Sequence, residues 1–294
     1  MNRIFLTGYK GFVGVNLIEY FSSSKFYKYQ RETPIEINQD IVIHLAGKAH
    51  DIKKTSNSDE YYQVNTELTK KVFDAFLVSN ARIFITLSSV KAVVDEVQEA
   101  LTEIHKPIPI THYGKSKLLS EEYIFSKEIP EDKRVYVFRP CMIHGPGNKG
   151  NLNLLYKIIS KNIPWPLGAF ENKRSFCSID NLMFIIKEFI ERGNIPSGIY
   201  NVSDDDPLST NELIGLIAQS QNREPTILRI SKGLIERLAR IGDKFNLPLN
   251  SERLRKLTSS FVVSNAKVKL AIGKPLLISS REGLLKTFKT FNSI

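Results

Sequence analysis

Short apolar runs rich in β-branched and aromatic residues alternate, along the first half of the chain, with longer stretches of helical spacing. Arg3–Thr7 reads as a strand, Phe12–Phe21 as a helix and Lys25–Gln30 as a second strand. Ile41–Ala46 is apolar at nearly every position, the pattern of a strand buried on both faces. Between Glu60 and Asn80, Val64, Leu68, Val72, Phe73 and Phe76 recur at helical spacing. Arg82–Leu87 then reads as a strand, Tyr113–Phe125 as a helix and Val135–Phe138 as a strand. Strand–helix alternation of this kind predicts an α/β fold, a doubly wound parallel sheet with helices on both faces.

The pattern loosens after Pro140. Gly145-Pro146-Gly147-Asn148-Lys149-Gly150 is a loop by composition. Helices are expected near Leu152–Lys161, Asn181–Arg192, Thr210–Ser220 and Gly233–Phe245, with short strands at Ile199–Val202 and Phe261–Val263. The helix over Ser231–Lys244 sets Leu234, Ile235, Leu238 and Ile241 among Lys and Arg, which reads as an amphipathic helix with a core face. The expected organisation is a sheet domain over residues 1–150 and a smaller mixed domain over 151–294, with an approximate boundary and no long linker.

Composition narrows the class. With 42% hydrophobic and 24% charged residues, 17 Phe and 11 Tyr, the chain has ample apolar surface for a core. No apolar run approaches the roughly 20 residues of a spanning helix, and the N-terminal apolar stretch is too short for a signal peptide. Cys141 and Cys177 are too few for a disulfide framework or a structural zinc site, so no metal is expected and a reducing cytoplasm is the expected compartment. They read as small packed hydrophobes. The net charge of +10 is concentrated: residues 221–294 hold 15 Lys+Arg against 5 Asp+Glu, leaving 26 of each in residues 1–220. A basic C-terminal quarter suggests an anionic partner. No nucleic-acid recognition motif accompanies it, so nucleic acid is not expected.

Two motifs carry chemistry. The first strand runs into Gly8-x-x-Gly11-x-x-Gly14 and then a helix. The first glycine permits a tight turn, the second lets backbone approach a pyrophosphate at the positive helix N-terminus, and the third allows close helix–strand packing. Between the first strand and a helix, this spacing predicts a dinucleotide-binding turn. The second motif is Tyr113-Gly114-Lys115-Ser116-Lys117, whose Tyr113 and Lys117 share one helix face. A neighbouring ammonium favours phenolate and would lower the Tyr113 pKa, making it a usable acid or base. Upstream, Ser88 and Ser89 end a strand where a hydroxyl can reach the cleft.

Taken with His44-Leu45-Ala46-Gly47 and with Arg139-Pro140 followed by His144-Gly145-Pro146-Gly147, these motifs resemble the extended short-chain dehydrogenase/reductase family over nearly the whole chain. The resemblance implies that Tyr113 is the acid/base, that Lys117 binds the nicotinamide ribose and tunes Tyr113, and that Ser88 or Ser89 hydrogen-bonds the reacting oxygen. Ser88 fits the register by its 25-residue distance to Tyr113, Ser89 is the alternative, and a third hydroxyl position is Val90. Gly8, Gly11, Phe12, Val13 and Gly14, with Leu45, Ala46 and Gly47, would contact the dinucleotide. Arg174 looks like the family Arg that pairs with the diphosphate of a nucleotide sugar, with Asn151 as a further substrate contact. His44 and His144 read as structural.

The chain departs from the family in one place. Gly14 to His44 spans 30 residues, so the unit carrying a third strand and its helix is shortened or missing. Arg31, with Lys28 nearby, would pair with a 2′-phosphate and favours NADP(H); Glu32 keeps NAD(H) open. Within the family the likeness is to enzymes of surface polysaccharide precursors acting on UDP-linked 4-keto sugars. The reading is a 4-ketoreductase for a UDP-2-acetamido-2,6-dideoxy-hexos-4-ulose, with a UDP-hexose 4-epimerase as alternative and a non-catalytic dinucleotide sensor more distant. The expected partner is the UDP-sugar; an anionic membrane surface and a homodimer stay open.

Overall fold

The computed structural model describes residues 2–49, 58–148, 150–245, 247 and 249–291. Six parallel strands form the main sheet: β1 (Arg3–Thr7), β2 (Lys25–Lys28), β3 (Ile41–His44), β4 (Ile83–Leu87), β5 (Arg134–Pro140) and β8 (Gly198–Val202), in the order β2-β1-β3-β4-β5-β8. The strand order reverses between β1 and β3, which opens a crevice outside the carboxyl ends of the strands. A second, two-stranded parallel sheet pairs β6 (Met142–His144) with β7 (Phe176–Ser178).

Alternation across the pleat explains the apolar runs. Ile4, Leu6, Ile43 and Ile85 face one core, shared with α1 (Phe12–Tyr20), α6 (Ile179–Glu191) and α10 (Ala266–Ile272). Phe5, Val42, Phe84, Val135 and Val137 face the other, packed by Val72, Phe73 and Phe76 of α3 (Leu68–Val78) and Ile124 of α4 (His112–Phe125). Successive residues point to opposite faces, so a strand covered on both sides is apolar throughout. α2 (Ser58–Tyr61) leads into α3 through a π-helical stretch, Tyr62–Glu67, inside what the spacing presents as one helix.

The chain passes from β2 to β3 through residues 29–40 without a further helix or strand. The edge of the sheet is therefore β2, in keeping with the short interval between Gly14 and His44. β8, expected in the smaller part, pairs with β5 in the main sheet, and α6 packs on that sheet's core. The chain thus returns to the sheet after residue 151, and the two layers interleave. The expected strand at Phe261–Val263 forms isolated bridges, to Arg174 and to Leu101.

The smaller layer has its own core of α5 (Asn151–Ser160), α7 (Thr210–Ser220), α8 (Lys232–Phe245), α9 (Ser251–Thr258) and α11 (Ser280–Phe291). α8 corrects one expectation. Ile235, Ala239 and Gly242 are its buried residues, while Leu234, Leu238 and Ile241 face solvent. A Cβ at Gly242 would lie 1.8 Å from the Leu249 carbonyl oxygen. That close approach seats the helix on its small-residue edge and turns the larger apolar residues outward. Among the described residues no helix is long and apolar enough to cross a membrane.

Candidate active site

The β1–α1 turn sits at the reversal of strand order. Gly8 has φ +68, and a Cβ there would meet Ala46 N and Leu45 C at 2.5 Å, so only glycine lets β1 turn beside the β3 loop. Gly11 is the N-cap of α1 and supplies no side-chain cap, so the first-turn N–H groups of Phe12 and Val13 keep their donor capacity. That uncapped, positive end suits a pyrophosphate. Below it, Ala46 N donates to Thr7 Oγ1 (3.0 Å), and His44 lies between Thr7 Oγ1 (2.8 Å from Nδ1) and Thr69 Oγ1 (2.9 Å from Nε2). Thr69 spends its own proton on Asn65 O (2.7 Å). Nε2 therefore carries the ring proton and Nδ1 accepts from Thr7. Burial pushes the His44 pKa down to about 3, aided by Lys117. His44 is a neutral structural tie, as expected.

β4 ends in Leu87, Ser88 and Ser89. Lys117 Nζ donates to Leu87 O at 2.8 Å, one turn along α4 from Tyr113. Burial lowers the Lys117 pKa to about 8, against the opposing pull of Glu121. Ser89 Oγ accepts from Lys91 N (3.2 Å) and its side chain acts on the Tyr113 phenol, whereas Ser88 Oγ is buried with no partner among the described residues. Of the two serines, Ser89 is the one whose side chain acts on Tyr113. The Tyr113 ring is part-exposed, yet desolvation at its phenol end raises its pKa; the Ser89 side chain opposes this and Tyr61 adds to it. The expected lowering by Lys117 is absent, and Tyr113 is a neutral phenol able to donate.

Asn65, which sequence reasoning missed, joins these parts. Its amide donates to Ser116 Oγ (2.9 Å) and Lys48 O (3.0 Å), and its Oδ1 accepts from Lys48 N (2.8 Å). A Cβ at Gly47 would stand 3.1 Å from Lys117 Nζ and 3.2 Å from Asn65 Oδ1, so the Leu45–Gly47 loop lies against both. Asn65 sits in the π-helical stretch, the irregularity often found at functional sites. The only sequence signal was a polar residue on the apolar side of a helical pattern.

Beyond β2, which ends at Lys28, Arg31 and Glu32 are both exposed, Glu32 with φ 71. Lys10 Nζ and Lys28 Nζ lie 5.6 Å and 5.7 Å from the Tyr9 ring centroid, so cations gather at this edge. Across the cleft, Arg174 is held between Leu208 (Arg174 N to Leu208 O, 2.8 Å) and Phe261, and its guanidinium donates to Lys256 O. Burial alone lowers its pKa, and no carboxylate stands within ion-pair distance among the described residues. Its field also reaches Lys91, whose Nζ lies 4.4 Å from the Phe261 ring centroid. Asn151 opens α5, but its side chain lies outside the described residues. His144 is buried between Thr287 (2.9 Å) and Asp204 (3.5 Å), and burial pushes both Cys141 and Cys177 thiols up, so neither is primed to react.

The profile of the NAD dependent epimerase/dehydratase family matches residues 30–203. UDP-glucose 4-epimerase of Vibrio cholerae is 26% identical over 98% of this chain and 95% of its own length. N-acetyl-alpha-D-glucosaminyl-diphospho-ditrans,octacis-undecaprenol 4-epimerase of Escherichia coli O157:H7 is 29% identical over 76% of this chain and 73% of its own. The crystal structure of UDP-glucuronic acid 4-epimerase from Bacillus cereus in complex with NAD superposes with a TM-score of 0.76 at 17% identity, covering 99% of each chain.

Proposed function

This chain belongs to the NAD dependent epimerase/dehydratase family, the extended short-chain dehydrogenases/reductases, and from that membership we propose that it reduces the 4-keto group of a UDP-linked 2-acetamido-2,6-dideoxy-hexos-4-ulose with NADPH. The observation that carries the reading is the grouping of Tyr113, Lys117 and Ser89 at the carboxyl end of β4, where Lys117 Nζ donates to Leu87 O and the Ser89 side chain acts on Tyr113, beside the β1/β3 crevice. The uncapped N-terminus of α1 fits a pyrophosphate, with Gly8, Gly11, Phe12, Val13 and Gly14 around it and Leu45–Gly47 as floor. Lys117 is the candidate ribose ligand. Lys10, Lys28 and Arg31 supply positive charge for a 2′-phosphate, which favours NADP(H) over NAD(H).

When bound, the dihydronicotinamide supplies the hydride for C4. Tyr113 then gives its phenolic proton to O4, and Ser89 donates a hydrogen bond to the same oxygen. Ser88, whose buried hydroxyl has no partner among the described residues, has no role in this assignment. Arg174, a half-buried cation with no ion-paired acid among the described residues, is suited to the diphosphate, where a planar guanidinium meets two oxygens at once. Asn151 is the further substrate contact. Surface polysaccharide precursor synthesis in the cytoplasm is the corresponding setting.

A second reading, a UDP-hexose 4-epimerase that retains NAD, draws support from the two relatives above, both named 4-epimerases. Loss of NADPH absorbance on mixing protein, NADPH and the 4-keto sugar separates the two. Arg31→Ala should weaken NADPH binding by about 1.5–3 kcal/mol and leave NADH nearly unchanged. Purified protein carrying tightly held NAD, with no net consumption of NADPH, would assign the epimerase.

A further inference from the structure

Helix α8 is held to the molecule by one narrow edge. At 3.6 residues per turn, Leu234, Leu238, Ile241 and Phe245 fall in one arc of about 60°, separate from the buried Ile235, Ala239 and Gly242. Each of the four exposes between 45% and 71% of its surface, and Leu247, just past the helix, is equally open at 47%. Contiguous exposed apolar surface of this kind marks an interaction face. Beside the apolar arc, on the side away from the core, Arg237, Arg240 and Lys244 form an exposed basic stripe. The acids of the helix, Glu236 and Asp243, lie on the far side, and Asp243 accepts from Ser251 N (2.9 Å) and Ser251 Oγ (2.6 Å).

We propose that α8 docks the protein on an anionic phospholipid surface, with Leu234, Leu238, Ile241 and Phe245 entering the headgroup boundary and Arg237, Arg240 and Lys244 pairing with lipid phosphates. The arrangement is that of an interfacial helix lying in the membrane plane, apolar on one arc and basic on the next. Charge decides the occupant. The helix lies in residues 221–294, which hold the chain's whole excess of positive charge, and an anionic surface complements it. A second copy would bring the same cations to the contact. Docking also has a place relative to the cleft: α8 leads into α9, whose Lys256 carbonyl holds Arg174. The inference does not depend on the reaction proposed above, because its readout is binding to lipid alone.

The test is flotation of the full chain with vesicles of equal phosphatidylglycerol and phosphatidylcholine, against phosphatidylcholine alone, without substrate. The expected result is recovery with the anionic vesicles, weakened by salt. Replacing Arg237, Arg240 and Lys244 by Gln should lower the partition about fivefold per charge. Leu238→Ser with Phe245→Ser should lower it with the cations intact. Because these residues are exposed, the variants should keep the wild-type circular dichroism and melting temperature. Phe245→Trp adds a reporter beside the single, buried Trp165, and its emission should shift to the blue on adding anionic vesicles. No recovery of the wild-type protein at low salt, or no emission shift, overturns the proposal. A doubled mass in light scattering that Phe245→Ser reverses, without vesicle binding, assigns the face to a second copy and overturns it equally.

Discussion

Ser88 and Ser89 are neighbours in sequence and point to opposite sides of the chain. β4 ends at Leu87, Ser88 N still donates to Phe138 O (2.7 Å), and Ser89 is extended at φ −161, ψ 151 before the turn Val90–Ala92. Successive extended residues alternate faces, so the two hydroxyls face apart: Ser89 Oγ accepts from Lys91 N (3.2 Å), and Ser88 Oγ is buried with no partner among the described residues. Removing the Ser89 hydroxyl should therefore cost turnover, by about 10²–10³ for a lost donor to the reacting oxygen. Ser88→Ala removes only a buried group with no partner among the described residues and should leave both turnover and melting temperature close to wild type. Tyr113→Phe should lower turnover by about 10²–10⁴ while dinucleotide binding, followed by fluorescence, is kept. The assignment fails if Ser88→Ala is the slower of the two serine variants.

At the scale of elements, α4 is tied to the sheet by a buried ion pair. Arg139 on β5 donates Nε to both Glu121 carboxylate oxygens, at 3.0 Å and 3.2 Å. Both side chains are almost fully buried. Replacing one partner leaves the other charge uncompensated, so Glu121→Gln should cost about 3–5 kcal/mol in denaturant unfolding. The same carboxylate supports the charge on Lys117. Lys117 has a folded pKa of about 8, below its ordinary value, so its ammonium is present below that pH and lost above it. Turnover that needs the ammonium should fall as pH rises through about 8. In Glu121→Gln that limb should move to lower pH. For stability the sign is opposite. The unfolded chain holds the Lys117 proton up to the ordinary lysine value, so between about 8 and that value stability rises with pH.

For the whole molecule, the sheet layer offers a positive rim at the end of β2 and the smaller layer offers Arg174 across the cleft. A desolvated guanidinium with no carboxylate beside it among the described residues is costly in the free protein, and an anionic substrate relieves that cost. Arg174→Ala should raise the Michaelis constant for the UDP-sugar about ten- to a hundred-fold, the range of a charged hydrogen bond, and leave NADPH binding unchanged. An unchanged constant would move the diphosphate elsewhere. High salt should slow association of the anionic substrate, since steering by the surrounding cations is screened.

What the sequence determined by itself is the parallel sheet and the motifs at its carboxyl edge. Both depend on local rules: apolar runs at β1, β3, β4 and β5, the glycine turn at Gly8, and the one-turn spacing of Tyr113 and Lys117. Tertiary structure alone decided four things. Ser89 rather than Ser88 acts on Tyr113 because Ser88 Oγ is buried with no partner among the described residues. Asn65 reaches Lys48 and Ser116 because a π-helical stretch, invisible to a 3.6-residue period, re-aims it. β8 joins the main sheet because its partner is β5, about sixty residues earlier in the chain. α8 packs through Ile235, Ala239 and Gly242 because the closeness of Leu249 O, and not hydrophobicity, chooses its inner edge. Each is a contact between distant segments, and periodicity along one segment carries no record of what will stand opposite it.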